Sequence, residues 1–375
     1  MRTLLRIIKN ETFSAYILIP IGVLAIALGS HFNSNFLEQS RHIFGWHFNL
    51  REATLDYLLG FFFYAIGLEL RFEFLEGTLK NRRILTVSAL AATLGMAVPA
   101  IIFVLYSHAN GTPSTGWGIT MATDLPFVLA MLGVLKRNNL RGFVLALATL
   151  DDIGSVIVLS VIYKVHLHIF YLLTLAVVLV LYVLVSYYLN SRTALIVIFT
   201  VGLAVGHLSG IQTSLVAVLF GILTINNRKQ EIAIPSKVLN LASPFSAFVV
   251  IPLFVFISLF RRFDFSAHAL GSTLVLSLII VRLIGKPLGI FLGIVLGRLL
   301  VKIPLPFLLG DAILIGALGT LGLDVSLIFA QRDFTGLSQN LAITGILLTI
   351  PAGIILSLLV HFLNRGLRTK GENIL

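Results

Sequence analysis

The chain contains no cysteine, only 16 acidic residues, and only 11% charged residues across 375 positions. Without cysteine there is no disulfide framework, no thiolate metal site and no cysteine nucleophile. Soluble domains carry about 25% charged residues, so a soluble fold of this length would have too few charges to cover its surface. Apolar residues fill the gap: 58% of the chain is hydrophobic. The composition is that of an integral membrane protein. The net charge of +11 does not point to nucleic acid, because most of the basic residues sit in short loops between apolar runs, where they orient helices.

A spanning helix needs about 20 largely apolar residues. On that ruler an all-α membrane protein of about twelve spans is expected, near 13–30, 55–72, 84–106, 117–135, 142–163, 168–189, 193–207, 211–225, 239–260, 269–297, 306–330 and 341–363. The first run, Phe13 to Ser30, is long enough to span and is followed by many others, so it reads as a retained helix and not a signal peptide. If the N-terminus is cytoplasmic, nineteen of the 27 Lys and Arg residues fall on the inside, six fall outside, and Arg282 and Lys286 fall within a span. That bias supports twelve spans with both termini in the cytoplasm, in a single transporter domain over residues 1–375.

A charge at mid-bilayer costs at least about 2.5–3.5 kcal/mol, so each one needs a reason. Asp124 lies in the fourth span, Asp151 and Asp152 in the fifth, Arg282 and Lys286 in the tenth, and Asp324 in the eleventh. Asp56 and Asp311 lie nearer span ends, where water reaches more cheaply. Structural salt bridges explain one acid facing one cation. They explain Asp151 and Asp152 poorly, since neighbouring helical residues point about 100° apart and need separate partners. Adjacent acids beside a third on another span suit a hard cation with oxygen ligands. They also suit protons, because burial and like-charge repulsion favour the neutral carboxyl.

Helix breakers accompany the charges. Pro126 follows Asp124 by two residues, which predicts an unwound stretch near the acid. Gly316, Gly319 and Gly322 precede Asp324 and permit either close helix contact or a break. Interrupted spans at midplane are where transporters place ion sites. Spans 3–5 and 10–12 form two triplets, each with its middle member interrupted, and an inverted relation between them is expected.

With these residues in hand, the sequence resembles the NhaA type of sodium–proton antiporter. The likeness rests on Asp56 with GLELRFE (Gly67 to Glu73), ATD (Ala122 to Asp124), LDDIG (Leu150 to Gly154), SGIQTSL (Ser209 to Leu215), GKPLG (Gly285 to Gly289) and GTLGLDVSLIFA (Gly319 to Ala330), in that order. It implies inverted repeats with broken, crossed helices 4 and 11 around a cytoplasm-facing funnel. It also implies export of Na+ or Li+ driven by more than one inward H+ per ion, for pH and sodium homeostasis, in the bacterial inner membrane. Asp152 would alternate between Na+ or Li+ and a proton, with Asp151 its partner in the ion site, either a second proton carrier or the salt-bridge mate of Lys286. Asp124 would balance half-helix N-termini and Lys286 the C-termini, with Thr123 in support. Glu69 and Glu73 match positions tied to pH control, or are an ordinary interfacial acid pair beside Arg71. No cofactor is implied; the ions are cargo. The outer loop, 31–54, has an alternation in FGWHFNL that suits a short strand, and in the family a hairpin here supports a homodimer.

Three departures stand out. Gln212 replaces a histidine linked to pH response. Asp324 stands where a small polar residue is expected, and Arg282 lies one turn before Lys286 as an additional cation. Asp324 and Arg282 are expected either as a compensating pair or, for Asp324, as an extra ion ligand. A sodium-coupled organic-solute symporter of related fold is the alternative function. An intramembrane enzyme is not expected, since the sequence has neither GxGD nor DDxxD.

Overall fold

The computed structural model describes residues 11–31, 40–43, 46–112, 114–162, 168–189, 191–209, 211, 213–225, 242, 244–261, 263, 266–301 and 309–372. The opening helix, α1, is Glu11–His31, followed by a hairpin of β1 (Ser40–Ile43) and β2 (Trp46–Asn49) and then α2 (Leu50–Leu75). Next come α3 (Arg82–Ala109), a 3-10 turn at Trp117–Thr120, α4 (Leu125–Val134) and α5 (Arg141–Ile162). Then α6 (Ile169–Leu184) runs into a π turn, and α7 (Arg192–Ser209), α8 (Thr213–Leu223) and α9 (Ile251–Leu259) follow. The chain closes with α10 (Thr273–Val301), α11 (Leu309–Leu318), α12 (Asp324–Asp333) and α13 (Gly336–Glu372).

Six segments are long and apolar enough to cross a membrane: Arg82–Ala109, Trp117–Val134, Arg141–Leu159, Ile169–Tyr188, Thr273–Val301 and Gly336–Asn364. Four shorter apolar helices join them, Ile17–His31, Thr193–Ser209, Thr213–Leu223 and Ser246–Leu259. Their outward faces are strongly apolar, as at Ile169, Phe170 and Leu173 of α6. Patches of this kind are not left facing water.

The chain divides into two compact units. The first comprises residues 1–77 and 156–262. In it, β1 and β2 pair antiparallel, Ser40 opposite Asn49 and Ile43 opposite Trp46, so the expected strand in the outer loop is one arm of a hairpin. Helices α2 and α8 touch backbone to backbone: a β-carbon at Gly67 would meet the Val218 carbonyl, and one at Gly221 the Tyr64 carbonyl. The hydroxyls of Tyr64, Tyr182 and Thr224 lie within hydrogen-bond reach of one another at 2.9–3.1 Å. Buried hydroxyls gathered in this way satisfy each other where water is absent.

The second unit comprises residues 78–155 and 263–375, and so gathers α3, α4 and α5 as far as Ser155 with α10 to α13. Asn81 caps α3, its side chain accepting from the Arg83 N–H at 3.0 Å. The long helices α3 and α10 run antiparallel and pack through glycine. Gly285, Gly289, Gly293 and Gly297, spaced four apart and so on one face, lie against Pro99, Leu94, Ala91 and Val87 in turn. Small residues at such a face let the two backbones approach closely and dispersion act between them, and the Ile290 side chain of α10 fills the space at Gly95 of α3.

Candidate ion-binding site

Two interruptions in the second unit build the site. Pro126 sits in the first turn of α4. A proline ring collides with the carbonyl four residues earlier, so the helix cannot continue back through Ala122, and residues 121–124 leave the helix. The Ala122 carbonyl, denied a helical donor, accepts from Arg282 Nη2 at 2.6 Å. The second interruption separates α11, which stops at Leu318, from α12, which starts at Asp324. A β-carbon at Gly322 would strike both the Ala122 carbonyl and the Arg282 guanidinium, so this approach requires glycine. Gly316 serves packing instead, lying against Pro287 of α10.

The two stretches are joined directly. The Asp124 N–H donates to the Leu321 carbonyl at 2.8 Å, the Thr123 hydroxyl to the Gly319 carbonyl at 2.9 Å, and the Ser326 hydroxyl to the Ile119 carbonyl at 3.0 Å. Asp124 immediately precedes α4, yet its side chain serves α12: Oδ2 accepts from the Leu323 N–H at 2.6 Å and the Asp324 N–H at 3.0 Å. Amides at a helix start have no partner within the helix and form the positive end of its dipole. Lys286 does the converse. Its Nζ donates to the Met121 carbonyl, just past the 3-10 turn, and to both Asp151 oxygens at 3.0 and 2.8 Å. Lys286 is 0% exposed and Asp151 2%.

Asp152 follows Asp151 on α5 and is also buried. It lies within electrostatic reach of Lys286 and Asp324. Among the described residues no three His, Cys, Asp or Glu side chains gather as a metal site, so a cation here would also draw on backbone and hydroxyl oxygens.

Arg282 and Asp324 do not form the expected compensating pair. The acids near Arg282 are Asp124 and Asp151, and those near Asp324 are Asp124 and Asp152. Arg282 Nε and Nη1 and Asp324 Oδ1 are buried without a hydrogen-bond partner. The reason lies in the break, which exposes a carbonyl that captures the guanidinium. Asp311 also departs from expectation. It is 2% exposed, shielded from water, and bridged to Arg137. The side chain of Asp56 and residue Gln212 lie outside the described set. Glu69 and Glu73 lie on α2 in the first unit, Glu73 buried and Glu69 half-buried. Arg71 between them donates to the Ile222 carbonyl at 2.6 Å, near the end of α8. Nothing in the sequence marks the carbonyl partners of Lys286 and Arg282, whereas the four-residue spacing of the α10 glycines is visible in it.

Comparison with known proteins decides the family. Residues 5–361 match the model of the family described as Na+/H+ antiporter 1. The chain belongs to this sodium–proton antiporter family. It is 34% identical to the Na(+)/H(+) antiporter NhaA 2 of Clostridium beijerinckii over 66% of this chain and 65% of that protein. It is 33% identical to the Na(+)/H(+) antiporter NhaA of Frankia casuarinae over 76% of this chain and 69% of that one. The NhaA antiporter of Wigglesworthia glossinidia brevipalpis is 27% identical over 96% of this chain and 97% of its own length. As a member of the sodium–proton antiporter family, the chain is a multi-pass membrane transporter for Na+ and H+, and not an enzyme. No observation favours the sodium-coupled symporter.

Proposed function

We propose that the chain exports cytoplasmic Na+ or Li+ in electrogenic exchange for external H+, with Asp152 the carboxylate that alternates between ion and proton. The observation that carries this reading is the pairing of Lys286 with Asp151 directly beside Asp152. The pair fixes one acid of the doublet on a buried cation and sets Asp152 next to it, where both carboxylates can face a transported ion. Asp151 contributes a carboxylate oxygen to the Na+ site when the ion is present. Asp124 and Lys286 neutralise opposite helix ends, so the site can change its charge without leaving the break amides and carbonyls bare, and Thr123 ties the two breaks together. Cation and proton compete for the same oxygens, which couples the two flows without any cofactor.

The same reading holds the chain to be one transporter domain of twelve spans. The 117–134 and 309–333 segments are crossed, discontinuous helices, and spans 3–5 and 10–12 are inverted repeats. Both termini face the cytoplasm of the inner membrane. Glu69 and Glu73 tune the response to pH, and the 31–54 loop, with its hairpin, joins two copies in the bilayer.

The test is Na+-driven proton movement in everted vesicles or proteoliposomes, scanned across pH, with Asp152→Asn alongside. Exchange that vanishes in the variant supports the assignment, and exchange that survives moves the site elsewhere. No response to Na+ or Li+ at any pH, together with substrate-dependent Na+ uptake, would favour a symporter.

A further inference from the structure

We propose that Arg282 is a positioning residue of the exchange, whose fixed charge sets how tightly the site holds Na+ by opposing the cation at the acids around it. The proposal rests on the antiport reading above and adds to it the residue that limits ion affinity.

Placement is the first ground. Arg282 lies on α10 one turn before Lys286 and is 1% exposed. Its Nη2 donates to the Ala122 carbonyl at 2.6 Å, and a β-carbon at Gly322 would strike the same nitrogen. The guanidinium is thus held between the two breaks. Its charge lies within electrostatic reach of Asp124 and Asp151.

The contrast with Lys286 carries the argument. Lys286 donates to both oxygens of Asp151, so its charge is matched at contact. Among the described residues the hydrogen bond of Arg282 is to a neutral carbonyl, and Nε and Nη1 are buried without a partner. Capping a freed carbonyl takes a donor and no charge, and a neutral amide would serve at a lower desolvation cost. A positive charge with no carboxylate in contact acts at longer range, since salt screens buried groups little. It opposes any further cation drawn to Asp124 and Asp151. With no three acids gathered as a metal site among the described residues, cation affinity here depends on the field of the charges nearby. One unit charge in a protein interior changes that affinity by about tenfold. An ion held more tightly leaves more slowly, so the restraint favours release.

Sodium binding to the purified protein, followed by titration calorimetry at alkaline pH, tests this beside the Na+ KM and kcat of exchange in proteoliposomes. Arg282→Gln removes the charge and keeps a donor for Ala122, Arg282→Met removes both and keeps the bulk, and Arg282→Lys keeps the charge. The glutamine variant should bind Na+ about tenfold more tightly than wild type, with KM lowered in step and kcat no higher. The lysine variant should bind as wild type does. A glutamine variant that melts lower with its Na+ affinity unchanged or weakened overturns the proposal and leaves Arg282 a structural tie only. Tighter binding by the lysine variant overturns it too, because the charge is still there. If the glutamine variant does not fold, Arg282→Met takes its place with the same expectations, and if neither folds the lysine variant decides. No Na+ binding or exchange by the wild type overturns the antiport reading itself, and this proposal with it.

Discussion

Lys286 holds Asp151 through both carboxylate oxygens while also donating to the Met121 carbonyl. A lysine with no exposure thus joins α5 and α10 to the first break. Removing one partner of a buried pair leaves an uncompensated charge, at a cost of about 3–5 kcal/mol. Lys286→Met is expected to lower the melting temperature of the purified transporter sharply, and adding Asp151→Asn should recover most of the loss. A double variant no more stable than Lys286→Met alone would show that the pair is not what holds these elements.

Asp124 supplies the acceptor for two amides at the start of α12. An orphaned buried donor costs about 1–3 kcal/mol. Asp124→Ala orphans both, whereas Asp124→Asn keeps an oxygen in place. The alanine variant should melt lower than the asparagine variant, and the Leu323 and Asp324 amides should exchange hydrogen faster in it. Equal melting temperatures would argue that the amides find another acceptor.

Packing of α3 on α10 makes a third prediction. A β-carbon at Gly293 would sit against the Ala91 backbone, and overpacking costs about 1–3 kcal/mol. Gly293→Ala should destabilise the protein by that order. Leu292→Ala, one position away and 39% exposed, should change it by no more than about 0.5 kcal/mol. Thermal unfolding in a single detergent compares the two.

The hydroxyl cluster of the first unit separates stability from transport. Tyr182 shares its hydroxyl with Tyr64 and Thr224, and a hydrogen bond of this kind contributes about 0.5–1.5 kcal/mol. Tyr182→Phe should lose that much stability with Na+-driven proton exchange intact. Loss of exchange at unchanged stability would bring these hydroxyls into the transport path.

The acids and Lys286 were legible because a charge within an apolar run stands out against its surroundings, and Pro126 marked the place where α4 begins. What those charges touch was not legible. The Met121 and Ala122 carbonyls and the Leu323 amide belong to the backbone, which is the same in every sequence. Only the broken geometry makes them available. For the same reason Arg282 and Asp324 looked like partners, two charges added in adjacent spans, until the freed carbonyl at Ala122 claimed the guanidinium. The α11 glycines carried two meanings that spacing could not separate: Gly316 packs on Pro287, while Gly322 admits Ala122 and Arg282.

The glycine seam between α3 and α10 has a mechanical consequence. With backbone set against backbone at Gly289 and Gly293, the two helices cannot slide or roll past each other in small steps, because interiors at this density resist gradual deformation. They act as a keel. Arg282 and Lys286 both belong to α10, so in the proposed exchange the positive charges are the stationary frame. The stretches at 121–124 and 319–323, which lack a helical ladder, are the parts that yield. In that exchange ions and protons come and go around cations that stay where they are.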